Sequence, residues 1–214
     1  TYNVPILEKA MQYIINRHEI LRTVFKIDSN QELRQYILPQ PETDFKIDYK
    51  DFSKNPNGKN KAQYYIKTQA NIPFDLEQGP LIKMSVLQYE IESYVFFCNL
   101  HHSICDAWSI PILKQEIFAV YRSLSTGKKP ELLEMKIQYK DYTSWYINSL
   151  QSKLLTKQKE YWLNQFSDEI PAIEFPSKMT RFPIKTYNGQ TLKTYFGKKQ
   201  TEMIHAYQHQ KGGS

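Results

Sequence analysis

The sequence predicts an α/β (α+β) fold in which a mixed sheet is flanked by helices, and two patterns carry that prediction. Apolar residues recur at helical spacing near the start, with Leu7, Met11, Ile14 and Ile15 on one face, and again at Ile110, Leu113, Ile117, Val120, Tyr121 and Leu124. Between these stretches lie short runs rich in β-branched and aromatic residues, bounded by polar turn residues, which read as strands. At 214 residues the chain is long enough to bury a full core.

Each element follows from its local pattern. In the first helix Ala10 and His18 extend the apolar face, while Glu8, Lys9 and Arg17 solvate the rest. Val24-Phe25-Lys26-Ile27 and Leu33-Arg34-Gln35-Tyr36-Ile37 flank Asp28-Ser29-Asn30-Gln31, which predicts a hairpin. Phe45, Ile47 and Tyr49 alternate as a third strand does, and residues 51–60 form a polar loop. A helix over 61–70 precedes Pro73-Phe74-Asp75-Leu76. Gly79-Pro80 then opens a strand over 81–89, paired with 94–100 across 90–93. The run Tyr94-Val95-Phe96-Phe97-Cys98-Asn99-Leu100 carries no charge, as expected of a strand buried on both faces. Further helices are predicted over 137–150 and 154–166, with another beginning near Gln200. No internal repeat or low-complexity segment stands out.

The chemistry concentrates just after that uncharged strand, in His101-His102-Ser103-Ile104-Cys105-Asp106-Ala107-Trp108-Ser109. Two imidazoles and a carboxylate at the mouth of an apolar strand, followed by a helix, form a strand-to-helix junction that directs side chains and free backbone N–H groups into a cleft. Adjacent strand residues face opposite sides, so one histidine is expected to act on substrate and the other, His101, to support the site. Asp106, four residues after His102, is close enough to orient an imidazole or to pair with a distant cation. A pair of satisfied core histidines is the competing reading. No third and fourth ligand appears at a spacing that suits a metal. Ser103 and Ser109 lack the glycine-flanked elbow of a serine nucleophile.

Composition narrows the partners. Two cysteines, Cys98 and Cys105, are too few for a disulfide framework and point to a reduced, cytoplasmic setting. No signal peptide and no membrane-spanning apolar run is visible. The net charge is +6, but lysines alternate with acids, and clusters such as Lys59-Asn60-Lys61 and Lys128-Lys129 read as solvated turns rather than a nucleic-acid face.

The nine residues from His101 resemble the HHxxxDGWS core motif of condensation domains in nonribosomal peptide synthetases. Arg17-His18-Glu19-Ile20-Leu21-Arg22-Thr23-Val24-Phe25 resembles that family's RHExLRTxF motif, and Tyr139-Lys140-Asp141-Tyr142-Thr143-Ser144-Trp145 resembles YxDYxxW. Tyr161-Trp162, Phe175-Pro176, Phe182-Pro183 and Tyr187-Asn188-Gly189 follow the family's layout, so the resemblance covers almost the whole chain. It implies one lobe of a chloramphenicol acetyltransferase-like fold. Condensation domains are roughly twice as long, two lobes with the active site in a tunnel between them. Residues 1–214 therefore read as a single N-terminal lobe, with the C-terminal lobe absent. The family's first motif would lie upstream of Tyr2-Asn3, and the sequence departs from the family where Ile6 runs directly into Leu7, a place at which the family has the rest of a strand and a turn.

The reaction implied is amide formation. The amine of a carrier-bound aminoacyl thioester attacks the thioester carbonyl of a carrier-bound acyl or peptidyl donor. By resemblance His102 accepts the ammonium proton or holds the amine, and an unperturbed imidazole pKa of about 6.5 suits that task. The backbone N–H groups of Ala107, Trp108 and Ser109 are candidates for stabilising the oxyanion. The family's counterpart of Asp106 pairs with an arginine of the RHExLRT motif, here Arg17 or Arg22. Tyr139, Asp141, Tyr142 and Trp145 are expected to brace the tunnel floor or the packing of the lobe. Ala107 replaces the family's glycine, where a Cβ narrows the channel or disturbs a backbone that prefers positive φ. No cofactor is expected to bind directly. Substrates arrive on the phosphopantetheine of donor and acceptor carrier proteins, beside an adenylation domain, with no nucleic acid and no membrane involved. The alternatives are an epimerisation-type relative, which Trp108-Ser109-Ile110-Pro111 disfavours, and a non-catalytic docking or scaffolding lobe.

Overall fold

A computed structural model describes residues 2–39, 45–150, 152–171, 184 and 189–213. The chain forms two compact units, Thr1–Asn164 and Gln165–Ser214.

The first unit opens with α1, Val4–Arg17, one turn ahead of the apolar face that predicts it. Asn3 explains the early start. Its Oδ1 accepts the Ile6 N–H at 3.1 Å, and Pro5 sits in the first turn, where its missing N–H costs nothing. No strand or turn intervenes before Leu7. The helix buries Leu7, Ala10, Met11, Ile14 and Ile15. His18 then turns extended and a 3-10 turn, Glu19–Arg22, leads into β1.

Strand β1, Thr23–Ile27, pairs antiparallel with β2, Leu33–Ile37, as the predicted hairpin. Asp28 organises its turn by accepting the Asn30 and Glu32 N–H groups at 2.8 and 3.0 Å. A separate three-stranded sheet has the order β3-β4-β5. Here β3 is Asp48–Asp51, β4 is Ile82–Glu90 and β5 is Ser93–Leu100. β3 runs parallel to β4, and β4 runs antiparallel to β5. The parallel pair is joined through α2, Gly58–Ala70. An added Cβ at Gly58 would stand 2.4 Å from the Tyr89 carbonyl oxygen and 2.6 Å from that of Phe52, so only glycine fits this close approach.

Two strand expectations are corrected. The third strand starts at Asp48 and not at Phe45, because the Phe45 and Ile47 N–H groups donate to the side chains of Gln12 and Glu8 on α1, at 2.7 and 3.0 Å. Those two residues are stapled to a helix before the sheet begins. The strand buried most deeply is β4, in which Ile82, Met84, Ser85, Val86 and Leu87 are all buried. β5 lies at the sheet edge among the described residues, so its side chains are half-buried and Cys98 is exposed. Its lack of charge reflects the apolar groove that it borders.

Helix α3, Ser109–Ser125, follows the nine-residue motif, packs against α1 and buries Leu113 and Val120. α4, Tyr139–Ser149, and α5, Lys153–Gln165, come next. The core is continuous from α1 through β4 to α3 and includes Ile104 of the motif.

Within the second unit, α6, Lys198–Lys211, is the regular element among the described residues. It ends at Gly212, whose φ of 64° places it in the left-handed region typical of a helix stop. Phe175-Pro176, Phe182-Pro183 and Tyr187-Asn188 lie outside the described residues.

Candidate active site

The nine-residue motif forms a turn anchored at three points. His101 closes the β-ladder by donating its N–H to the Leu81 carbonyl at 3.0 Å. The chain then folds back, with the Ile104 N–H on the His101 carbonyl at 3.1 Å and the Ile104 side chain, 4% exposed, plugged into the core. Asp106 supplies the third anchor. Its Oδ1 accepts the Ser109 N–H at 2.9 Å and the Ser109 hydroxyl at 2.7 Å, while its own N–H donates to Ser109 Oγ at 3.2 Å. The carboxylate thereby satisfies the first amide of the helix from a position two residues ahead of Trp108, the N-cap.

Both histidines lie beyond the strand end, so the turn and not the strand pleat orients them. His101 is half-buried. Its Nδ1 meets Ser103 Oγ at 2.8 Å and accepts the Ser103 N–H at 3.2 Å, and its ring stands edge-on to Phe74 with centroids 6.1 Å apart. An Nδ1 that accepts an amide N–H leaves the proton on Nε2 in the neutral ring. His102, at the crest of the turn, is exposed.

Three electrostatic effects act here. The Ser109 hydroxyl and N–H, helped by the Trp108 N–H and the nearby His102, hold the Asp106 carboxyl below its ordinary range. Burial, and then the charge of Asp106, push the Cys105 thiol up. Cys98 opens onto the groove surface, yet apolar neighbours desolvate its thiol and push it up to about 12.

The expected pairing of Asp106 with Arg17 or Arg22 is not formed. Asp106 is exposed and satisfied locally by Ser109, so it carries no buried charge in need of an arginine. Arg17 instead contacts Glu116 at 3.4 Å and donates to the Leu133 carbonyl. Arg22 donates to the Leu38 carbonyl and lies 3.6 Å from Glu19. The oxyanion expectation narrows as well, since the Ser109 and Trp108 amides already point at Asp106. Ala107 keeps an ordinary backbone, for Gln31 is the one non-glycine residue with positive φ among those described. Its methyl therefore strains nothing locally and adds bulk to an exposed surface.

Tyr139, Tyr142 and Trp145 are exposed rather than core, and their rings meet at a tilt along α4 with successive centroids 5.7 Å apart. Asp141 caps that helix by accepting the Gln138 N–H at 2.8 Å. The Gln138 side chain donates to the Arg17 carbonyl at 2.9 Å and accepts the Glu19 N–H at 3.2 Å, and Lys140 reaches Glu19 at 2.7 Å. The segment from Arg17 to Arg22 is thus a hub that joins α1, α3 and α4.

Sequence reasoning missed Glu116. Its carboxylate lies 2.6 Å from His18 Nε2, with both side chains largely buried. The signal was present, because Glu116 interrupts the apolar stripe of Leu113, Ile117 and Val120 at the positions where a helix faces its core.

An apolar cavity of about 730 Å3 runs between β5 and α3, lined by Phe96, Cys98, Leu100, Ile110, Leu113 and Ile117 among others. Leu100 and Ile110 flank the turn that carries the histidines, so the cavity reaches it from one side. Among the described residues no group of His, Cys, Asp and Glu is arranged to hold a metal, and no helix is long and apolar enough to cross a membrane.

Together the turn and the fold place two histidines and a carboxylate at a strand-to-helix junction of an α/β lobe. Residues 1–213 match the family model described as Condensation domain, and the chain belongs to that family. Tyrocidine synthase 3 of Brevibacillus parabrevis is 33% identical over 199 residues, which cover 93% of this chain and 3% of that protein. Bacitracin synthase 2 of Bacillus licheniformis is 31% identical over 92% of this chain and 7% of its own length. Among solved structures, the starter condensation domain of rhizomide synthetase superposes with a TM-score of 0.69 at 20% identity, over 77% of this chain and 39% of that one. The epimerization domain from the third module of tyrocidine synthetase B gives 0.71 at 20% identity, over 80% of this chain and 39% of its own. The chain thus spans well under a tenth of those curated relatives and about two-fifths of those structures.

Proposed function

We propose that this chain is the N-terminal lobe of a condensation domain and forms an amide bond between a carrier-bound acyl or peptidyl thioester and the amine of a carrier-bound aminoacyl acceptor. The observation that carries this reading is His102, exposed at the crest of a turn that is anchored at His101, Ile104 and Asp106. The amine nitrogen attacks the thioester carbonyl, the C–S bond breaks, and the thiol leaves on the donor carrier. His102 holds the amine or takes its proton as the C–N bond forms. Thioesters are already activated, so placing the two arms head to head supplies much of the rate.

The exposed aromatic row on α4 suits a surface completed by the other lobe of the domain. The phosphopantetheine of the carriers brings both substrates, a neighbouring adenylation domain loads them, and the basic net charge favours acidic carriers. A cytoplasmic setting accords with the two free thiols.

The test is dipeptide formation by the synthetase that contains this chain, with preloaded donor and acceptor carriers, comparing wild type with His102→Ala. Loss of product with retained folding supports the reading. Unchanged product rejects His102 as the acting group and favours a docking lobe.

A further inference from the structure

We propose that Glu116 is a positioning residue for His102, acting through the rigid length of α3; this rests on the condensation reading above. The Glu116 side chain is 17% exposed; its carboxylate lies 2.6 Å from His18 Nε2 and forms an ion pair with Arg17 Nε at 3.4 Å, both groups standing at the junction between α1 and the 3-10 turn. Arg17 also binds the Leu133 carbonyl, in the segment that follows α3. One carboxylate therefore fixes where α3 sits along and about its axis relative to the first helix.

The opposite end of the same lever carries the reacting group. Seven residues separate Glu116 from Ser109, two helical turns or about 10 Å. Ser109 holds Asp106 by two hydrogen bonds, and Asp106 ends the turn that raises His102. The turn is pinned at its start by the Leu81 carbonyl, and its Ile104 side chain packs in the same core cluster as Leu113 and Val120 of α3, so a rotation or slide of α3 reaches the turn through both Ile104 and Asp106 and is taken up from His101 onward. His102 is the exposed imidazole within that interval.

The position of Glu116 argues for orientation over stability. It lies on the stripe of Leu113, Ile117 and Val120, where an apolar residue would pack without desolvating a charge. Replacing a whole buried ion pair by apolar groups is often neutral or stabilising, so the pair is weak evidence for stability, whereas the short His18 contact together with the Arg17 charge fixes one geometry.

That contrast supplies the experiment, run in the same synthetase with carrier-loaded substrates. Glu116→Leu removes one partner and leaves Arg17 and His18 unpaired, so it is expected to lower Tm; measured where it stays folded, it is expected to lower kcat about tenfold or more and to leave KM for the loaded acceptor carrier within about twofold, because orientation and not binding is lost. Glu116→Gln keeps an acceptor for His18 and is expected to retain an intermediate kcat. A folded Glu116→Leu protein with kcat within about twofold of wild type overturns the proposal. If the leucine variant does not fold, Glu116→Gln decides alone: a reduced kcat at unchanged KM supports the lever and a wild-type kcat overturns it. His102→Ala is measured in parallel. Wild-type product from that variant overturns the condensation reading itself, whatever Glu116 does.

Discussion

Asp106 and Ser109 bind each other reciprocally, the carboxylate accepting the serine N–H and hydroxyl at 2.9 and 2.7 Å while the aspartate N–H returns to the hydroxyl at 3.2 Å. The folded-state pKa of Asp106 is depressed, so the unfolded chain binds more protons as pH falls past the ordinary value of 3.8. The lock is therefore complete above that value and is lost as pH drops through the lower, folded one. The Ser109 amide shift in an NMR titration is expected to have its midpoint below 3.8, and Ser109→Ala is expected to move that midpoint upward. A midpoint at or above the ordinary value would show that the lock does not hold the carboxylate.

Cys98 is expected to be nearly inert despite its exposure. With its thiol pushed up to about 12, the thiolate fraction at pH 8 is roughly a thousandfold below that of free cysteine, and alkylation slows accordingly. Mass spectrometry after a timed iodoacetamide pulse reads this directly, and labelling of Cys98 at the free-cysteine rate would contradict it.

Gly58→Ala forces a methyl against two backbone carbonyl oxygens that cannot rotate away. The expected cost is about 3 kcal/mol, at the upper end for overpacking, seen as a lower denaturant midpoint at unchanged m-value.

Gln138→Ala removes the bridge from α4 to both the Arg17 carbonyl and the Glu19 N–H. A loss of about 1–2 kcal/mol is expected. Hydrogen exchange should rise across Tyr139–Ser149 while α1 stays protected, which separates undocking of the helix from global unfolding.

Much of this architecture is legible in the residues because local rules decide it. The face of α1, the β1–β2 hairpin, the β4–β5 pair and the strand-to-helix junction all follow from spacing and turn chemistry. What stayed hidden depends on who stands opposite. Nothing in Phe45 or Ile47 announces that their amides go to Gln12 and Glu8, and an uncharged strand reads alike at the centre or at the edge of a sheet. The partners of Arg17 and Arg22 are set by tertiary geometry, so resemblance alone assigned them to Asp106. The row of Tyr139, Tyr142 and Trp145 has core-like spacing, and periodicity does not reveal which surface covers it.

The parallel pairing of β3 with β4 also bears on how the chain is made. As the polypeptide leaves the ribosome, Asp48-Tyr49-Lys50-Asp51 emerges about thirty residues before its sheet partner among the described residues, which starts at Ile82. During that interval the strand waits without that partner. Three of its four residues are charged, which keeps the waiting segment hydrated and unattractive to other nascent chains until α2 has formed and β4 arrives.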